Sequence, residues 1–239
     1  MSEFATGFYG KLPSNGDFVR RDLPNDFVTQ WDNWLQECLA SSKRQLGEVW
    51  TDTYLTSPVW RFVISPGIQG DACWLGCISP STDEVGRFFP LTVAHPLPAD
   101  TNPYLLAMLS NSWCQHIESS MLSLFNEGVA DAEQFHHQVN QPELPVIPDF
   151  NNRSQGVGYG EAWHFQGFEY PDGYFSGLIA DQLLNHHLGA YSLWWGAGSQ
   201  AVAPSVAITR SIPDPSQFAA MLSGDWQGAG WFSTDRNTV

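Results

Sequence analysis

Between Pro24 and Gly47 the apolar residues Phe27, Trp31, Trp34, Leu35, Cys38 and Leu39 recur at steps of three and four, the spacing that returns side chains to one face of an α-helix. The pattern predicts an amphipathic helix over about 25–45, ended by Gly47, with a shorter helical segment in EVWTDTYL before Ser57 and Pro58. From Val59 the period becomes that of strands. VWRFVI, ACWLGCIS and RFFPLTVAH follow one another, and the turn-rich PSTDEVG joins the last two as a β-hairpin. Asn102 then offers a helix cap and Pro103 a first helical position. The stripe Leu105, Met108, Leu109, Trp113, Ile117, Met121, Leu124 predicts one long helix over about 103–126.

The second half is more broken. A short helix is expected over about 131–139, and QPELPVIPDFNNRSQGVGYG, rich in proline, asparagine and glycine, reads as a long loop. AWHF is a possible short strand, followed by a helix over about 175–188 and two strands in YSLWWG and PSVAITR. Pro215 and Ser216 open a last helix over QFAAML, and the residues from Gly224 read as a poorly structured tail. Helices alternating with groups of strands predict an α+β fold, a largely antiparallel β-sheet covered by helices. Neither half holds enough strands for a sheet of its own, so the expectation is a single domain over 1–223 and a C-terminal tail over 224–239.

Composition narrows the function. A formal net charge of −15 would repel a nucleic-acid backbone or an anionic membrane. Eleven tryptophans, fifteen phenylalanines and seven tyrosines supply a thick core and leave rings available for a partner. The chain has no apolar run of about 18 residues and no charged-then-apolar leader, so a cytoplasmic protein is expected. Its four cysteines, all in apolar surroundings, are expected to be buried thiols.

Catalytic motifs are absent. SQGVGYGEAW lacks the spacing and the strand–turn–helix context of a dinucleotide loop, and GYFSG is not a nucleophile elbow. The pairs His136–His137 and His186–His187 are adjacent, so their side chains diverge around a helix and no third metal ligand lies at a matching step. Cys73 and Cys77 are four apart on one face of a strand, unlike a redox pair. Asp83 and Glu84 fall in a turn, where solvated carboxylates are expected. No cofactor is implied, and an enzyme would need a site assembled from distant segments, with His164 as a candidate and the loop over about 150–160 as a lid.

The opening stretch GFYGKLPSNGDF is the alternative focus. Gly10 and Gly16 permit backbone conformations closed to other residues, Pro13 fixes a torsion, and Asn15–Gly16 suits a tight reversal that Asp17 would hold. Phe8, Leu12 and Phe18 would anchor this loop while Lys11, Ser14 and Asn15 project outward as a preorganised recognition surface. Arg61 and Arg87, scarce cations in apolar strands, are placed to pair with Asp17 or Asp83 and so to order the loop and the hairpin turn.

Taken together, GFYGKLPSNGDFVRR, SPVWRFVISPG, DEVGRFFPLTV and SLWW resemble, in order, the TagF family of type VI secretion accessory proteins, over nearly the whole chain to about Leu222. The resemblance implies a longin/profilin-like α+β sandwich. It also implies a cytoplasmic, non-enzymatic, post-translational negative regulator in the threonine-phosphorylation pathway, acting by binding and sequestering the machine's forkhead-associated scaffold protein. No phosphatase region is visible, as expected for the stand-alone form. A structural adaptor of the same machine is the alternative.

Overall fold

Alternation along the strands sends aromatic rings to one side of a sheet and aliphatic chains and thiols to the other. In the computed structural model, which describes residues 5–127, 131–147 and 172–234, seven strands form this sheet. They are β1 (Gly7–Lys11), β2 (Phe18–Arg21), β3 (Trp60–Ile64), β4 (Cys73–Ser79), β5 (Leu91–Leu97), β6 (Tyr191–Gly196) and β7 (Ser205–Arg210). Their order is β2-β1-β5-β4-β3-β6-β7, and every neighbouring pair is antiparallel. Helices α1 (Asn25–Leu46), α2 (Trp50–Leu55) and α7 (Phe218–Ser223) supply residues to the core on the first face. Helices α3 (Pro103–Leu109), α4 (Asn111–Glu127) and α5 (Ala132–Val139) supply the second, and α6 (Asp172–Leu188) lies against α3 and β6. The α+β fold expected from the element order is present.

The first face is a tryptophan cluster. Trp31 of α1 touches Phe27, Trp34, Phe62 and Trp194 at ring separations of 5.4, 4.6, 5.1 and 6.2 Å. A buried indole loses water from its N–H and needs a replacement acceptor. Trp31 Nε1 donates to Thr92 Oγ1 (2.9 Å), Trp34 to the Pro213 carbonyl (2.8 Å) and Trp60 to the Met221 carbonyl (2.9 Å), so each bond also fastens a separate element. Gly76 of β4 has no side chain because Phe62 lies across it: a Cβ there would stand 2.2 Å from the Phe62 ring and 2.6 Å from the Val93 carbonyl oxygen. On the second face Phe8, Val63, Leu75, Cys77 and Val93 meet Trp113, Cys114, Ile117, Met121 and Phe135. All four cysteines are free and buried, as expected.

Several boundaries differ from the sequence expectation. The opening stretch is mostly strand: β1 and β2 pair from Phe8↔Arg21 to Lys11↔Phe18, leaving only 12–17 as the turn. Its glycines signal close backbone approach, since a Cβ on Gly10, at φ 142°, would lie 2.2 Å from the Pro90 carbonyl oxygen. The hairpin of β4 and β5 forms, but β5 begins at Leu91; Arg87 and Phe88 belong to a long connection closed by the single bridge Thr82↔Phe88. The helix expected over 103–126 is two, because Ser110 ends α3 and its carbonyl accepts from Cys114 N, while its hydroxyl turns back to the Ala107 carbonyl. The stripe crosses the break unchanged in period and so concealed it. Residues 224–230 make turns that set Trp226 edge-on to Trp60 (5.8 Å) and to Trp231 (5.3 Å). AWHF, His164 and the loop over 150–160 lie outside the described residues.

Two outcomes follow from this packing. Gly76→Ala should lower stability by about 1–3 kcal/mol in urea unfolding, and Phe62→Leu in the same chain should restore part of the loss. His95, buried on β5 with Nδ1 3.0 Å from Thr6 Oγ1, has its pKa pushed down to about 4 by burial. Its neutral form is favoured by folding, so the stability it confers is complete above about pH 6.5 and declines as pH falls toward 4, by roughly 3 kcal/mol in all. His95→Gln should flatten the urea midpoint across that window relative to the unsubstituted chain.

Candidate interaction surface

Two turns, 12–17 between β1 and β2 and 80–90 between β4 and β5, meet at one end of the sheet and lock together. Within the first, Asn15 N donates to the Leu12 carbonyl (3.0 Å) and Asp17 Oδ1 accepts from Phe18 N (2.8 Å). Within the second, Asp83 Oδ1 accepts from the backbone N–H groups of Val85 (3.2 Å) and Arg87 (2.8 Å), and Gly86 N donates to the Asp83 carbonyl (2.9 Å). Between them, Glu84 N donates to the Asn15 carbonyl (3.2 Å), Ser81 Oγ donates to the Lys11 carbonyl (2.7 Å), and Arg87 Nη2 donates to the Gly16 carbonyl. Tyr54 of α2 anchors the base, donating from Oη to the Ser81 carbonyl and accepting from Ser81 N, both at 3.0 Å.

The centre of the lock is the Asp83 carboxylate. It is fully buried, and its Oδ2 receives both Lys11 Nζ and Arg87 Nε, the latter at 2.7 Å. Burial alone would push its pKa up. The hydrogen bonds from Lys11, the Arg87 backbone and the Arg87 guanidinium outweigh that and hold the carboxyl well below the usual range. A carboxylate so stabilised keeps its charge, and with it both turns, at every pH above about 4.

This arrangement corrects three expectations. Lys11 does not project outward; it is buried, because the strand that carries it directs Nζ inward to Asp83. Asp83 is not solvated, whereas its neighbour Glu84 is exposed. Arg61 pairs with neither Asp17 nor Asp83: on the other face of the sheet its Nε and Nη2 each donate to Glu118 of α4 at 2.7 Å, and Nη1 donates to Asn111 Oδ1 at 2.9 Å. The Glu118 hydrogen bonds raise the Arg61 pKa against the opposing effect of burial, and together with the Asn111 bond they tie α4 to β3. Arg87 does pair with Asp83, though from the connection rather than a strand. Gly10 is inside β1, Pro13 and Asn15 are half-buried, and Ser14, Gly16 and Asp17 are exposed on the turn.

What faces solvent is mixed. Phe18 is 44% exposed, stacked on Tyr9 (5.7 Å, 10°), edge-on to Phe89 (4.8 Å) and 5.1 Å from Lys11 Nζ. Val85 is 66% exposed and the Arg87 side chain 61%. Phe18, expected as an anchor of the loop, does pack on Tyr9 and Phe89 but is also exposed, while Val85, Ser81 and Tyr54 carried no sequence signal that marked them. The alternation in FVRR was the available signal, since Val19 is buried while Phe18 and Arg20 are exposed. A fixed face with an exposed ring and polar groups at its rim suits protein recognition. Among the described residues no cluster of histidine, cysteine or carboxylate groups could hold a metal.

Asp83→Asn should loosen both turns together: the amides of Val85, Gly86 and Arg87 should lose tenfold or more of their hydrogen-exchange protection, with the sheet amides unchanged. Adding Lys11→Met should recover part of the loss, because the single change strands a buried cation.

The profile of the TagF N-terminal domain, described as type VI secretion system-associated, matches residues 7–141, more than half of the chain. The crystal structure of PA0076 from Pseudomonas aeruginosa PAO1, at 2.05 Å resolution, is 35% identical in sequence and superposes with a TM-score of 0.80, covering 98% of this chain and 100% of that one. No curated protein matches the chain. The matched region contains both interlocked turns, the Arg61–Glu118 pair and all of β1 to β5, so the chain belongs to the TagF family of type VI secretion-associated proteins.

Proposed function

We propose that this chain is a non-enzymatic, cytoplasmic repressor of type VI secretion, acting after translation by binding and sequestering the forkhead-associated scaffold of the machine. The observation that carries the reading is the locked pair of turns, which presents Phe18, Val85 and Arg87 without an ordering step on binding. Family membership supplies the secretion system as the setting. An inhibitor of this kind works by occupancy: it must be present at the concentration of its target, and it changes no covalent bond. A helix long and apolar enough to cross a membrane is absent among the described residues, which suits a partner met in the aqueous phase.

Purified chain and purified scaffold should form a stoichiometric complex by isothermal titration calorimetry. Phe18→Ala and Val85→Asp should each weaken it tenfold or more, the first because exposed aromatic anchors carry about 2 kcal/mol at such interfaces. Deleting the gene should raise secretion, and either variant should fail to lower it again. Lower secretion on deletion would favour an adaptor, and wild-type affinity in both variants would exclude this face.

A further inference from the structure

The two edges of the sheet are finished differently. An unpaired edge strand offers a row of backbone donors and acceptors to any extended chain, and proteins blunt it with short length, charge or proline. At one edge β2 has four residues and carries Arg20 and Arg21. Arg20 folds back onto the Leu23 carbonyl, and Arg21 onto Glu133 and its neighbour's carbonyl. At the other edge β7 has six residues and, among the described residues, pairs only with β6. Pro204 precedes it and Arg210 ends it, leaving 205–209 without a charge. Val206 is 75% exposed and Ile208 45%.

The side chains of β7 divide by parity. Ala207 joins the tryptophan core and Thr209 Oγ1 meets Ser192 Oγ at 2.9 Å, on the α1 side. Val206, Ile208 and Arg210 take the α6 side, where Arg210 Nη2 donates to the His187 carbonyl at 3.4 Å. Beside the end of β7, a cleft of about 710 Å³ opens between α1 and the C-terminal turns. Glu37 and Asp214 stand in its wall, next to Trp34, Trp231 and the fully exposed Phe232. Hydrogen bonds from Ser216 lower the Asp214 pKa, and among the described residues neither carboxylate is within ion-pair distance of a cation, although Arg210 stands in the same wall.

We infer that β7 receives an added strand from a partner protein: an extended segment whose apolar residues, at every second position, cover Val206 and Ile208, and whose lysine or arginine on the opposite side reaches Glu37 and Asp214. Backbone pairing supplies adhesion, the alternation sets the register, and the carboxylates choose a basic segment over an acidic one. The net charge of −15 works in the same direction. It also opposes pairing of β7 with a second copy. This edge lies across the sheet from the two locked turns, so the inference stands whether or not those turns bind the scaffold.

The probe is the blocked hexapeptide Lys-Val-Thr-Val-Thr-Val, which places its basic residue and its valines on opposite sides of a strand, with the same peptide carrying glutamate for lysine as control. Hydrogen exchange of the full chain at saturating peptide should show at least tenfold added protection confined to β7 amides. The glutamate peptide should bind tenfold or more weakly, as should the lysine peptide to Glu37→Lys. Val206→Lys, at a solvent-facing position that leaves the core untouched, should abolish protection while the thermal midpoint stays within a few degrees. No protection in β7, equal affinity for the two peptides, or sedimentation showing a dimer that Val206→Lys dissolves would each overturn the inference.

Discussion

The three central strands, β3, β4 and β5, have no residue free to face water: every position from Trp60 to Ile64, Cys73 to Ser79 and Leu91 to Leu97 is buried. That constraint organises the rest. A sheet apolar on both faces must be covered twice, which accounts for the α1, α2, α7 group on one side and α4, α5 on the other. Any polar group within it must also bring its own partner. Arg61, alone among the aliphatic neighbours of the second face, is tolerated because Glu118 and Asn111 satisfy its donors, and the same bonds set where α4 lies. Thr92 is tolerated because Trp31 donates to it.

Where the buried sheet meets solvent, the same demand produces the locked pair of turns. The end of β1 buries Lys11, so a counter-charge must come from the adjoining connection, and Asp83 arrives with Arg87 behind it. The turns are rigid as a consequence of satisfying one buried cation. Phe18 is then exposed by the alternation of β2 and fixed by Tyr9 and Phe89. A single electrostatic requirement thus converts core construction into a preorganised surface, and the TagF family match extends over all the residues that take part.

Much of this was legible from residue patterns. Helix α1, the β4–β5 pairing and the α+β class follow from periods of 3.6 and 2 that the packing respects. Three of the four family blocks fall within residues 7–141, the range the TagF N-terminal profile matches. What escaped was long-range. Glycines inside β1 read as a turn, because the pressure of Pro90 on Gly10 comes from a connection eighty residues away. Asp83 read as a solvated turn carboxylate because nothing local shows that Lys11 is buried opposite it. Arg61 was expected to order the opening loop or the hairpin turn and instead ties α4 to β3, because its partner had to be chosen among distant carboxylates and sequence contains no rule for preferring Glu118 over Asp17. The break at Ser110 was hidden for the opposite reason: the apolar period runs through it undisturbed.

The tryptophan cluster also has an optical consequence. Trp31 and Trp194 lie nearly parallel at 6.2 Å, with Trp34 4.6 Å from one and 5.7 Å from the other. Indole transitions held that close and that rigidly mix with one another, so the chain carries an exciton contribution in its circular dichroism that depends on tertiary packing rather than on backbone conformation. Helix content read from ellipticity alone is therefore distorted by the rings, and the exciton band offers an intrinsic signal for the moment at which α1 docks onto the sheet.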